Sequence, residues 1–298
     1  MQESILIFFQ NIGTPFLDSF ANFASAVGEQ TFVIAVILYI LWNHDKNKGF
    51  SICSSMLFSV MSMGLLKAIV RAPRPFQVLS SIQGKRLATA TGYSFPSGHT
   101  TTAASFYSAV ARAFKRRPLS IFCAFMIALV GISRLYLGVH WPIDVFGGLV
   151  LGVAITMLAY NRLSALYEDK DKRYRFSLVV GVITFVLGLG MAILLNMNSV
   201  DQVAFSDLMK TLALSGGGYL GFALEVKKVN YSTEATMPKK IVRFAIGMVV
   251  VVAVMALKTI IPEAAYYIGS FVRYAFLGFW ATGLFPLIGK RVLFADAQ

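Results

Sequence analysis

Seven long apolar runs, near residues 50–70, 119–133, 143–160, 176–195, 208–226, 244–261 and 264–288, govern what this chain can fold into. Several approach the roughly 20 residues that carry an α-helix across a bilayer. Only 14% of the 298 residues are charged while 57% are hydrophobic, far from the roughly 25% charged content of a soluble domain. The expectation is an all-α fold: a polytopic transmembrane helical bundle of about nine spans. No short charged, apolar, small-residue leader precedes these segments, so no cleaved signal peptide is expected.

A net charge of +13 could suggest nucleic acid, but the placement of the charge argues otherwise. Lys46 and Lys48, then Lys115 to Arg117, Arg162 to Arg175, Lys227 to Arg243, and Lys290 with Arg291 fall in every second connection. That is the positive-inside pattern of a membrane protein, which puts these clusters on the cytoplasmic side beside anionic lipid. The expected surroundings are therefore the lipid bilayer of the cell membrane, with no nucleic-acid partner. Cys53 and Cys123 lie inside apolar runs without metal-like spacing and suggest no disulfide framework.

Residues 3 to 27 look apolar, but Asn11, Pro15, Asp18 and Asn22 interrupt them too often for a span, which points to an interfacial helix or helix pair. Counting turns from there, the first five spans place a long loop, about 71–96, on the outer face. Its basic residues break the positive-inside rule and so call for a functional reason. The same count gathers Lys67, Arg74, Ser97, His99, Arg134, His140 and Asp144 at the outer membrane boundary. His44 falls in a cytoplasmic turn and reads as a solvated residue; Lys85 and Arg86 read as a solvated charge pair or as steering groups for an anion. After "EDKDKRYR" come four more expected spans with few charges. Their "SGGGYLGF" and "FLGFW" stretches hint at a duplicated hairpin, and their glycines are expected to permit close helix packing.

Three fragments of the first half need a joint explanation: "KAIVRAPRP", with six residues between Lys67 and Arg74 and Pro75 following; "PSGH", Pro96 to His99; and "SRLYLGVHWPID", Ser133 to Asp144. The set resembles the type 2 phosphatidic acid phosphatase (PAP2) family, whose signature is Lys-x6-Arg-Pro, Pro-Ser-Gly-His and Ser-Arg-x5-His-x3-Asp. All three parts are present in order and without mismatch. The resemblance covers about residues 1–165, read as a PAP2-like catalytic membrane core with an N-terminal interfacial segment. Residues 176–291 form a separate expected four-helix transmembrane region of unknown role.

The residues themselves argue for the same chemistry. Removing a phosphoryl group requires an acceptor, a proton for the leaving oxygen and positive charge around the equatorial oxygens. A neutral imidazole is nucleophilic near pH 7, and a carboxylate on its other nitrogen would fix the tautomer; His140 and Asp144 fit that pair. Pro142 suits the first turn of a helix, which would bring Asp144 back toward His140. "PSGH" reads as a helix start, with Ser97 as N-cap and Gly98 admitting a phosphate to free backbone N–H groups. His99 would donate a proton to the leaving group and later activate water, and Lys67, Arg74 and Arg134 would clamp the oxygens. The resemblance implies the same roles and a phosphohistidine on His140.

Asp144 is the only acidic residue between Asp45 and Glu168, so no carboxylate cluster is available beside these fragments to hold a metal. Neither a metal nor another cofactor is expected. The implied function is hydrolysis of a lipid phosphomonoester or diphosphate, of the undecaprenyl diphosphate, phosphatidylglycerol phosphate or phosphatidic acid class, on the extracytoplasmic face. Two alternatives stand beside it: a phosphotransferase that passes the same intermediate to an alcohol, and a lipid transporter or scaffold without chemistry.

Overall fold

A computed structural model describes residues 1–294, and among these there are helices and no strands. The helices are α1 (Gln2–Asn11), α2 (Pro15–Ala26), α3 (Gln30–Asn43), α4 (Lys46–Val70), the short α5 (Pro75–Val78), α6 (Gly98–Phe114), α7 (Arg117–Tyr136), α8 (Pro142–Glu168), α9 (Lys170–Asn196), α10 (Gln202–Leu224), α11 (Met237–Ala256), α12 (Tyr266–Phe279) and the single turn α13 (Phe285–Ile288). Local signals in the sequence set their ends. The hydroxyl of Thr14 caps α2, and the carboxylates of Asp169 and Asp201 accept the first free N–H groups of α9 and α10. Proline occupies the first turn of α2, α5, α7 and α11, where its missing N–H costs nothing.

Six stretches are long and apolar enough to cross a membrane: Lys46–Val78, Arg117–Tyr136, Pro142–Glu168, Lys170–Asn196, Met237–Ile260 and Glu263–Ile288. A seventh arises if α2 and α3, bent by 45° at their junction, count as one broken span. The expectation was about nine. The difference lies in α3, α6 and α10: α3 has 14 residues and α6 has 17, and α6 and α10 carry Ser, Thr and Gly where the other spans carry Val, Ile and Leu. Every residue of α6 from Thr100 to Val110 is buried, and a helix sheathed by protein has no need of a lipid-compatible surface.

The chain packs as two compact units. The first comprises Met1–Ile34 and Ile52–Arg162, with α6 at its centre. A file of hydroxyls joins α6 to its neighbours: Ser59 of α4 donates to Ser105 at 3.0 Å, and Ser105 lies 2.8 Å from Thr156 of α8. The Tyr107 hydroxyl donates to the carbonyl of Val27. Gly148 and Gly152 let α8 approach the backbone of α6, since a Cβ at either position would stand under 3.0 Å from a carbonyl of Ser97 or Thr101. Helix α7 packs against α6, α2 and α1.

The second unit comprises Ala35–Ser51 and the chain from Leu163 onward. Here α10 packs between α9 and α12. A Cβ on Gly217 would fall 1.8 Å from the carbonyl oxygen of Ala275, and one on Gly278 would fall 2.2 Å from that of Leu214. The glycines of "SGGGYLGF" and "FLGFW" thus bring two helices into backbone contact. Both helices run on into a π-helical turn, Glu225–Val229 after α10 and Trp280–Leu284 after α12.

Candidate active site

In the first unit the C-terminal ends of α4 and α7, the N-terminal ends of α6 and α8, and Arg74 at the N-cap of α5 bring the eight singled-out residues to one place. Lys67 lies in the last turn of α4 and Arg134 in that of α7. Ser97 is the N-cap of α6, its Oγ accepting from the Thr100 hydroxyl at 2.9 Å, and Gly98 and His99 open that helix. Asp144 sits in the first turn of α8, and His140 precedes it in the α7–α8 connection. A backbone hydrogen bond from Ser97 N–H to the Asp144 carbonyl, 2.9 Å, ties the two helix starts together.

His140 is buried between a carboxylate and a guanidinium. Its Nδ1 lies 3.3 Å from Asp144 Oδ2, and its Nε2 lies 3.1 Å from Arg74 Nη1. With the ring proton on Nδ1 directed at the carboxylate, the lone pair of Nε2 faces Arg74. Burial, reinforced by the charges of Arg74, Lys67 and Arg134, holds His140 well below the ordinary imidazole value. The ring is therefore neutral at pH 7, the state a nucleophile requires. Asp144 Oδ2 also accepts the Trp141 N–H at 2.8 Å and the Ser94 hydroxyl, so the carboxylate that orients the imidazole is itself held from two sides.

Backbone carbonyls hold two of the three cations. Arg74 donates to the carbonyls of Gly92, Val139 and Thr91 at 3.1, 2.9 and 2.7 Å, stitching the loop before α6 to the residue before His140. Lys67 donates to the carbonyl of Tyr93. Arg134 is fully buried; its Nη1 donates to the Ser25 hydroxyl, and its Nε and Nη2 have no partner. A buried, incompletely paired guanidinium costs several kcal/mol, on the order of the penalty for a stranded charge. An anion seated against those N–H groups would remove that penalty. A Cβ on Gly98 would touch only Met63, at 3.7 Å, so the backbone at the start of α6 is unobstructed.

Four participants were not legible in the three fragments. Ser94 holds Asp144, Ser25 holds Arg134, the Tyr93 carbonyl holds Lys67, and Glu29 Oε1 lies 3.7 Å from His99 Nε2. Lys85 and Arg86 are not a free pair of solvated charges: Lys85 pairs with Asp18 at 2.5 Å and Arg86 with Glu29. An apolar cleft of about 280 Å³, lined by Val70, Ala72, Phe95, Trp141 and Ile143, reaches Asp144. Among the described residues no group of three or more His, Cys, Asp or Glu side chains is arranged to hold a metal.

The fold and the site together define a class: an all-helical, multi-span membrane protein with a buried imidazole–carboxylate pair set among cations where helix ends meet. Residues 48–168 match the PAP2 superfamily, and residues 209–297 match the PAP2 superfamily phosphatase transmembrane extension. The chain belongs to the PAP2 superfamily. Among similar proteins, phosphatidylglycerophosphatase B of Bacillus subtilis (strain 168) is 38% identical over 94 residues, 28% of this chain and 44% of that protein. A lipid A 1-phosphatase of Rhizobium etli is 31% identical over 173 residues, 55% of this chain and 66% of that protein. An undecaprenyl-diphosphatase of Sulfolobus acidocaldarius is 28% identical over 158 residues, 52% of this chain and 73% of that protein. The chain thus spans under half the length of the first relative and about two-thirds of the second. The crystal structure of Aquifex aeolicus LpxE aligns with 54% of this chain and 94% of its own, at 21% identity and a TM-score of 0.49.

Proposed function

We propose that this protein is a membrane lipid phosphatase that removes a phosphomonoester or terminal diphosphate group through a phosphohistidine on His140. The observation that carries this reading is the buried His140 ring, with Asp144 at Nδ1 and a guanidinium at Nε2. Nε2 attacks phosphorus while Lys67, Arg74, Arg134, the Ser97 hydroxyl and the Gly98 N–H stabilise the equatorial oxygens. The P–O bond to the lipid breaks, its electron pair going to the leaving oxygen, which takes a proton from His99. His99 then accepts a proton from water as the water oxygen bonds to phosphorus, and the P–N electron pair returns to His140. Asp144 stabilises the imidazolium character of the intermediate. Three cationic side chains supply the charge that a metal supplies elsewhere, so turnover in this reading proceeds without one.

Two features support a lipid substrate: the relatives' own substrates and the apolar cleft beside Asp144, which suits a hydrocarbon chain entering from the bilayer. The substrate class is that of undecaprenyl diphosphate, phosphatidylglycerol phosphate or phosphatidic acid. The basic turns Lys46–Lys48 and Lys115–Arg117 lie at the opposite helix ends from the site, which supports an extracytoplasmic active site in the cell membrane. In this arrangement α3, α6 and α10 cross as well, α6 within a sleeve of its neighbours.

The test is phosphate release by purified protein from these three lipids in EDTA, beside His140→Ala. Release by the wild type and its loss in a folded His140→Ala variant are expected. Activity abolished by EDTA, or retained by His140→Ala, would overturn the reading. Recovery of the group on an added alcohol in place of free phosphate would identify a transferase.

A further inference from the structure

Asp18, Asn22 and Ser25 of α2 and Glu29 of the turn that follows are four, three and four positions apart, a spacing that puts the first three on one helix face and Glu29 next in line. That face is turned to the site. Asp18 accepts from Lys85 at 2.5 Å and from the Tyr136 hydroxyl at 2.6 Å. The side-chain and backbone oxygens of Asn22 accept from Arg86 at 3.3 and 2.9 Å. Ser25 accepts from Arg134. Glu29 closes the row beside His99. The segment lies outside the stretch matched by the PAP2 superfamily.

Glu29 is well anchored for a residue in a turn. Its N–H donates to the Ala26 carbonyl at 3.0 Å, its own carbonyl accepts from Val33 at 3.1 Å, and Arg86 holds Oε1. The same Oε1 lies 3.7 Å from His99 Nε2, an ion-pair separation. His99 keeps only 13% of its side chain exposed, and Nε2 is buried with no hydrogen-bond partner. An imidazole that must cycle through its charged form in such a place, with Arg86 and Arg134 nearby, needs a negative charge to make that form accessible.

We propose that Glu29 is a positioning residue for His99: its carboxylate keeps a proton on Nε2, presents Nδ1 to the phosphate, and stabilises the imidazolium that exists before the first proton transfer and after the second. The inference rests on the function proposed above and adds to it the nitrogen that exchanges the proton and the residue that selects it. Nδ1–H passes its proton to the leaving oxygen, and Nδ1 later takes one from water, while Nε2–H faces Glu29 throughout. His99 then has a carboxylate partner just as His140 has Asp144, but one supplied by the N-terminal segment. The α2–α3 turn becomes part of the catalytic apparatus.

The experiment uses the full-length protein purified in detergent, with Glu29→Gln and Glu29→Asp beside His140→Ala. The groups bearing on His99 are Glu29 from the α2–α3 turn, Arg86 from the outer loop, Arg134 from α7, and His140. Removing the one negative charge among them disfavours protonated His99. Glu29→Gln should lower kcat about tenfold or more with KM changed less than about threefold, and should move the alkaline limb of the pH–rate profile down by about one unit. Glu29→Asp should restore most of both. A purely structural role would reduce the amount of active enzyme without moving the limb. Because the chain has only three histidines, the ring of His99 can also be followed by NMR of histidine-labelled protein, with no substrate present. A limb and a His99 titration that coincide in wild type and Glu29→Gln would overturn the inference, even with His140→Ala inactive. Retained turnover in His140→Ala would overturn the underlying reading, while a shifted His99 titration in Glu29→Gln would still establish the contact.

Discussion

Placing one methyl group at Gly148 tests how the two halves of the site are held in register. Gly148 lies one turn beyond Asp144 on α8, where its missing Cβ would stand 2.8 Å from the Ser97 carbonyl, 3.1 Å from Thr101 Oγ1 and 3.2 Å from Thr100 Cβ. Ordinary contact begins at about 3.4 Å, so Gly148→Ala requires α6 and α8 to part by roughly 0.6 Å. The nearest of these atoms is backbone and cannot swing aside. Overpacking of this kind costs about 1–3 kcal/mol. The kinetic effect should be larger in proportion, because the parting moves Ser97, Gly98 and His99 away from His140 and Asp144. A misplacement approaching 1 Å costs on the order of 100-fold, so a drop in kcat of roughly 10- to 100-fold is expected. The assay is phosphate release at saturating lipid, normalised to folded protein by thermal melting. Gly190→Ala on α9, whose added methyl meets nothing within 4 Å, is the control and should match wild type. Turnover of Gly148→Ala within about twofold of wild type would refute the claim that this crossing sets the site's register.

Arg134→Met should raise KM about 10-fold or more while leaving the melting temperature unchanged or higher, since it removes a buried, partly unpartnered guanidinium; a lower melting temperature with unchanged KM would assign Arg134 to the fold. His140 is held well below 6.5 by burial and by the charges of Arg74, Lys67 and Arg134, and its lone pair is lost only when the pH falls through that lowered value. The acid limb of kcat/KM should therefore lie below pH 6.5, and a limb at or above it would contradict the assignment of a neutral nucleophile. Ser94→Ala deletes the hydroxyl that donates to Asp144, a charge-assisted bond of about 1.5–3 kcal/mol. It should lower kcat roughly 3- to 30-fold with KM nearly constant, which single-turnover kinetics can check.

The eight candidate residues could be singled out because the chemistry proposed for them is written in spacing. A histidine four before an aspartate at a helix start, or a serine before the glycine that opens a helix, limits the geometry before any tertiary contact forms. Ser94 could have been suspected, since it lies two residues before Pro96 on the same loop. Ser25 and Glu29 could not, because their partners Arg134 and His99 lie 70 or more positions away and the pairing depends on how α2 packs on α7. Asp18 and Asn22 looked like interruptions of a span. They are instead the polar face of α2, satisfied by Lys85, Tyr136 and Arg86. The count of crossings differs for a related reason: α6 and α10 are lined by neighbouring helices and carry fewer of the apolar residues that mark contact with lipid, and length and apolarity together give six candidate spans.

The most direct measurement is to quench the enzyme in alkali during turnover of a lipid carrying ³²P in its terminal phosphate, and to map any label on the protein. Transient label that is stable to alkali and labile to acid, located on His140 and absent from His140→Ala, is the predicted result. Turnover of the wild type with no such label at any time point, or with label on another residue, would contradict a phosphohistidine at this position.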